Sequence, residues 1–234
     1  MPPTQPPEPP AAPGDPHPAA PAAPGAQAPP LGLRERKRRH THRLLAATAL
    51  RLVAERGLDR VTVEDISGAA GLSARTFFNY FGSKEDALLL PYPDQAERDA
   101  ETVERVLAAP PETDPVRALA RAWRAELESV DAEREEWLTR LTVMTDHPSL
   151  ISRLVALEAE DERRLVAAVA RRIGCAPEDP RPLLLYCVVE GAIRACFTHW
   201  HRIGGSQSLV HLVDRAVDAV ADGLLTHQYP PPEE

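Results

Sequence analysis

Residues 62–88 read TVEDISGAAGLSARTFFNYFGSKEDAL, and most of the chemistry legible in this chain lies there. Arg75 can give paired hydrogen bonds to a guanine edge, Asn79 can pair with adenine, and Phe78 can touch a thymine methyl. Thr76 and Tyr80 carry hydroxyls suited to phosphate oxygens. Ser73 and Ala74 are small enough to let a helix start approach a groove. Lys84 follows Ser83 in the first turn of a further helix, where free N–H groups and a partial positive charge favour a phosphate. Each residue also has a plainer reading as a surface arginine, a solvated lysine or a cap, so the weight rests on their joint spacing.

Those side chains need two short helices to hold them. Thr62 is a good N-cap with Asp65 three positions on, as in a capping box with Asp in place of Glu. Val63, Ile66, Ala69 and Ala70 supply the apolar side, and Gly71 breaks the helix. Ser73 caps a second helix, expected from Ala74 to about Tyr80. Phe77 and Phe81 are four apart and are assigned to the core with Leu72, which turns Ala74, Arg75, Phe78 and Asn79 to other faces. The Ala69-Ala70-Gly71 run lets the helices cross closely, in the helix-turn-helix layout whose second helix enters a major groove. Ahead of them, a helix over 33–56 places Leu44, Leu45, Thr48, Leu52 and Val53 on one face and ends at Gly57.

Charge is distributed unevenly along the 234 residues. The formal net charge is -8, yet residues 34–86 carry 11 bases against 7 acids, and residues 87–234 carry 16 bases against 26 acids. A basic module precedes an acidic one, the pattern of an anion binder joined to a second function. Residues 34–43, RERKRRHTHR, hold six bases and one acid. This run, ending at Arg43, is either a solvated helix start or an arm that grips DNA; if removing residues 1–36 left the salt dependence of binding unchanged, the arm idea would fail.

The remainder predicts an all-α protein. Helices are expected at about 94–108, 115–130, 133–145, 149–173, 181–202 and 207–226, after an interruption at Pro91 and Pro93, and no run alternates as a strand would. Aromatics at 5% favour packing through Leu, Ala and Val. Residues 1–33, with 13 of the 25 prolines within the first thirty, are expected to be a disordered tail, and so is 229–234. No 18-residue apolar stretch or secretory leader is present, so a cytoplasmic location is expected. Cys175, Cys187 and Cys196 have neither disulfide-framework nor zinc spacing, and His199 and His201 point about 200° apart on a helix, so no metal or cofactor is expected. No nucleophile elbow, phosphate loop, zinc-protease motif or dinucleotide turn appears, which argues against an enzyme. A helical scaffold with no DNA role is the other alternative. Trp123, Trp137 and Trp200, with Leu127, Leu141, Met144 and Phe197, are candidates to line a ligand pocket, or else core filler.

The helix ending at Gly57, T-V-E-D-I at 62–66, A-G-L-S at 70–73, T-F-F-N-Y-F at 76–81 and G-S-K-E-D at 82–86 resemble the DNA-binding domain of TetR/AcrR-family transcriptional regulators. The resemblance implies a three-helix DNA-binding domain over 34–90, with its motif at 62–81, and a helical effector-binding and dimerisation domain over 91–228. It implies phosphate contacts from Thr62, Thr76, Tyr80 and Lys84, and a groove lined by Ser73, Ala74, Arg75, Phe78 and Asn79. The family often has tyrosine at the Phe78 position and histidine at the Tyr80 position. R-A-C-F-x-x-W and P-R-P-L-L in the second half loosely resemble the mycofactocin-associated regulators, which hints at a small apolar, acyl-type effector. A homodimer through the last two helices is implied, with Gly191, Ala192 and Ala195 allowing close approach and Leu209, Leu212, Val213, Ala216, Val217, Val220 and Leu224 forming a stripe. Burial of that stripe within one subunit is the alternative. Two recognition helices about 34–36 Å apart would read a palindrome on double-stranded DNA, and a ligand that changed their separation would release it, as in a repressor.

Overall fold

The computed structural model describes residues 32–223 except Pro177, and every described element is helical. The Pro/Ala-rich segment 1–31, the closing tail and Leu224 lie outside the described residues. Helix α1 spans Leu33–Arg56 and turns His42, Leu45, Ala46, Ala49, Leu50, Leu52 and Val53 inward. Gly57 stops it at φ 84°, a conformation that favours glycine. A 3₁₀ turn at Leu58–Arg60 leads into α2, Val63–Ala69, then α3, Ala74–Phe78, and α4, Lys84–Leu89. Leu45, Leu52, Val53, Val61, Ile66, Phe77, Phe81 and Leu88 join in one apolar cluster. Val143 and Leu150 from the second half complete that cluster. The N-terminal module therefore does not close on itself at residue 90.

After Pro91-Tyr92-Pro93 come α5, Gln95–Ala108; α6, Pro115–Ala122; α7, Arg124–Ala132; and α8, Arg134–Asp146. The long α9, Ser149–Ile173, and α10, Arg181–Arg202, precede α11, Leu209–Ala221. A second cluster, including Val106, Leu119, Leu127, Leu165, Val169, Val189 and Trp200, fills the space between them. No helix among the described residues is long and apolar enough to cross a membrane.

Three sequence expectations need correction. The helix expected over 115–130 breaks at Trp123, whose N–H turns to the Ala120 carbonyl at 3.2 Å while its ring packs against Tyr186 at 6.1 Å. Helix α3 is shorter than the stretch expected to Tyr80. It tightens at its end, where Asn79 and Tyr80 donate to carbonyls three residues back, at 3.2 and 2.9 Å, the usual way a last turn satisfies orphan groups. The stripe on α11 faces inward: Leu209, Val213 and Val217 are buried in the second cluster. The outer side of α11 presents charge instead, and Arg117 reaches Asp218 and Asp222 at 3.0 and 2.8 Å. Exposed apolar residues lie on α9, at Ile151 and Val155, and on α10, at Leu183, Leu184 and Val188.

Candidate nucleic-acid interface

Two capped helix starts set the geometry. The Thr62 hydroxyl accepts from the Asp65 N–H at 3.1 Å, while Asp65 accepts from the Thr62 N–H at 2.9 Å and from its hydroxyl at 2.7 Å. This reciprocal box satisfies donors that the helix leaves open. Gly71, at φ 69°, reverses the chain, and the Leu72 N–H returns to the Ser67 carbonyl at 2.8 Å. The Ser73 hydroxyl then accepts from the Thr76 N–H at 3.1 Å and starts α3.

Beyond the cap, α3 has one anchored side and one open side. Phe77 is fully buried, and its ring lies 5.5 Å from Phe81. Phe78 is 57% exposed, which for an aromatic side chain in a well-packed module is a large apolar surface. Ser73, Arg75 and Asn79 are exposed, and Ala74, Thr76 and Tyr80 are half-buried. The helix thus presents Arg75, Phe78 and Asn79 outward on a scaffold held from behind.

The candidate phosphate contacts are placed less uniformly. Thr62 commits its hydroxyl hydrogen to Asp65, and Thr76 shares its hydroxyl with Ser73 at 2.9 Å. Lys84 sends its ammonium across to the carbonyls of Leu58 and Val61, at 2.7 and 2.9 Å. It therefore ties α4 to the end of the 3₁₀ turn and retains one hydrogen for an outside partner. Arg43 is exposed but sits apart from α3, in a small cleft with Pro91, Tyr92, Glu133 and Glu136.

The seven residues expected to line a pocket divide between the two apolar clusters. Met144 packs on the first cluster, whereas Trp123, Leu127, Trp137, Leu141, Phe197 and Trp200 belong to the second. Neither the cleft beside Arg43 nor the groove of about 420 Å³ between α1 and α8 is lined by any of them. Trp200 is fully buried and donates its indole N–H to the Gln207 carbonyl at 2.9 Å, which secures the turn into α11.

Sequence reasoning missed the junction. Trp137 donates to the Tyr92 hydroxyl at 3.0 Å, and Tyr92 donates to Glu133 at 3.0 Å. Arg140 donates to the Leu88 carbonyl and, at 2.6 Å, to Glu136. Arg153 holds Asp86 through two bonds of 2.8 and 3.1 Å. The available signals were proline on both sides of Tyr92 and an arginine on the apolar side of α8, between Trp137 and Val143.

A second cluster of charge lies between α5, α9 and α10. The Glu158 carboxyl is pushed up to about 7 by partial burial and by the neighbouring Glu190, Asp99, Asp161 and Glu162, although the residue as a whole is exposed and water screens much of that effect. Burial and Asp161 likewise push Asp99 up to about 6. A raised acid holds its proton in the folded chain where the unfolded chain has released it. Its contribution to stability therefore falls as pH rises, between about 4.5 and 7 for Glu158. Glu158→Gln should melt a few degrees above the parent at pH 8, with the gap closing by pH 5, when unfolding is followed by circular dichroism. An equal gap at both pH values would show that Glu158 does not titrate in this window. Among the described residues no group of three or more His, Cys, Asp or Glu could hold a metal ion.

The model of the bacterial regulatory proteins of the tetR family matches residues 45–89, and that of the MftR C-terminal domain matches 113–225. The chain is 32% identical to the HTH-type transcriptional regulator TcmR of Streptomyces glaucescens over 179 residues, covering 73% of this chain and 77% of TcmR. The chain belongs to the TetR family of transcriptional regulators. It is also 28% identical over 192 residues to MftR of Mycobacterium tuberculosis, whose name assigns it to mycofactocin biosynthesis, with 81% of this chain and 93% of MftR covered. Among solved structures, Thermus thermophilus FadR, a TetR-family repressor in complex with lauroyl-CoA, shares the fold, with a TM-score of 0.50, 22% identity and coverage of 83% of this chain and 100% of that one. TetR regulators bind DNA and act as dimers, and α2 and α3 lie within the stretch that matches the tetR family model.

Proposed function

We propose that this TetR-family regulator is a repressor that binds a palindromic operator as a homodimer and is released by a small apolar effector. The observation that carries the DNA reading is the outward face of α3, where Arg75, Phe78 and Asn79 stand clear of a core built on Phe77 and Phe81. In this reading Ser73 and Ala74 admit the helix to the major groove, and Arg75 and Asn79 read base edges. Tyr80 and the spare hydrogen of Lys84 meet phosphates, with Thr62 and Thr76 contributing their hydroxyl oxygens at the two caps. Dimerisation runs through the last two helices, with Leu183, Leu184 and Val188 of α10 supplying apolar area and α11 its charged outer side. Thermus thermophilus FadR is in complex with lauroyl-CoA, and in this reading an apolar effector of that kind is assigned to the helical body. The crowded carboxylates around Glu158 disfavour an anionic head group beside them.

The test is a gel shift on the region upstream of the chain's own gene. Arg75→Ala should weaken binding there by about 1–3 kcal/mol per half-site, roughly ten- to a hundredfold, while leaving binding to random duplex almost unchanged. Equal loss on both duplexes would place Arg75 on the backbone and not on a base. No complex at low salt would overturn the DNA reading.

A further inference from the structure

The first three turns of α1 carry six bases against one acid, and they lie ahead of residue 45, where the match to the DNA-binding family model begins. Two of the six are held in place. Glu35 accepts two bonds of 2.9 Å from Arg38 and one of 3.0 Å from Arg39, and Arg39 also reaches Asp94 at 3.0 Å. These pairs keep the Glu35 carboxyl down at about 2. Arg34, Arg36, Lys37 and Arg43 are exposed, and no carboxylate among the described residues pairs with them. Like charges packed this closely repel one another unless an external anion meets them.

Their position relative to α3 selects which of the four can act together. The His42 ring lies 4.4 Å from Phe81 and 6.3 Å from Tyr80, and Arg38, one helical turn before His42, shares its side of α1. The start of α1 therefore lies against the trailing end of the recognition segment. At about 100° per residue, Arg34 and Lys37 fall on one flank of Arg38, within about 40° and 100° of it. Arg36 and Arg43 fall about 140–160° away, and Arg43 opens into the cleft beside Pro91 and Tyr92.

We propose that Arg34 and Lys37 form a sequence-independent clamp on the phosphate backbone of duplex DNA, beside the half-site that α3 reads. This rests on the helix-turn-helix reading above and extends the interface beyond the family's shared segment. The clamp supplies affinity and register, and α3 supplies choice of sequence.

Full-length protein is titrated by fluorescence anisotropy from 50 to 300 mM salt, against a 40-base-pair random duplex and the upstream duplex. Each lost phosphate contact lowers the slope of log K against log salt by about 0.9, so R34A/K37A should lower it by about 3.6 per dimer. Binding to both duplexes should weaken by the same factor, roughly a thousandfold at 0.1 M salt. R163A/R164A removes the same charge from the surface of α9 and should leave the slope unchanged. An unchanged slope in R34A/K37A, with sequence preference intact in the parent, overturns the clamp and leaves the α3 reading standing. A slope lowered equally by R163A/R164A also overturns it, because net charge and not contact would then be responsible. A parent protein that binds neither duplex overturns both.

Discussion

Replacing Phe77 with alanine is expected to cost about 3–5 kcal/mol of stability and to abolish duplex binding. Helix α3 has five regular residues, too few to persist in water without tertiary support. Its only fully buried side chain is the Phe77 ring, which packs against Phe78 at 5.6 Å and Phe81 at 5.5 Å. Removing that ring leaves a cavity behind the helix and frees the groove-facing residues from a common geometry. Phe78→Ala is the matched comparison. It removes the same number of atoms from an exposed position and should change stability by about 0.5 kcal/mol or less. Urea denaturation and anisotropy on one protein preparation separate the two. If Phe77→Ala melts like the parent, α3 is anchored by something other than this ring.

The second large effect is expected at Arg140. Its side chain is 2% exposed, yet it carries a guanidinium whose ionisation burial makes harder. The charge is balanced by Glu136 and by the Leu88 carbonyl near the end of α4, and its Cζ sits 5.3 Å from the Trp137 ring. Arg140→Ala loses the hydrogen bonds and leaves a void, for about 3 kcal/mol. The value lies at the low end for a broken buried pair because Glu136 is 39% exposed and can rehydrate. Arg140→Met refills the volume without restoring donors to the Leu88 carbonyl, and should cost about 1–2 kcal/mol. The order parent, Met, Ala in denaturant midpoint is the expected result. Equal midpoints for Met and Ala would assign the whole effect to the lost hydrogen bonds, and a neutral Arg140→Ala would remove the residue from the account of the junction.

The DNA-side module was legible because its signals are local. Thr62 with Asp65, Gly71 and Ser73 are read from neighbours within four positions, and the folded chain forms those caps. Phe77 was separable from Phe78 because a four-residue step to Phe81 identifies the inward side. Assignments that depend on what lies opposite a helix were not legible. The α11 stripe has the same periodicity whether it meets another subunit or its own α6 and α7, and here it meets its own. What the tryptophans pack against was not legible for the same reason, since their partners are set by helix crossing. Lys84 was identified at the right place, but its two carbonyl partners lie 26 and 23 residues away, beyond any local pattern.

Proline at 91 and 93 has a mechanical consequence. Neither residue offers an N–H, so bending the backbone there sacrifices no ladder bond. Whatever stiffness that elbow has must come from side chains lent by the opposite half: Arg140 on Leu88, Trp137 on Tyr92, Arg153 on Asp86 and His147, which accepts from the Leu58 N–H at 3.4 Å. Such an elbow can be loosened or tightened by exchanging individual residues on α8 and α9, without rebuilding either lobe it joins.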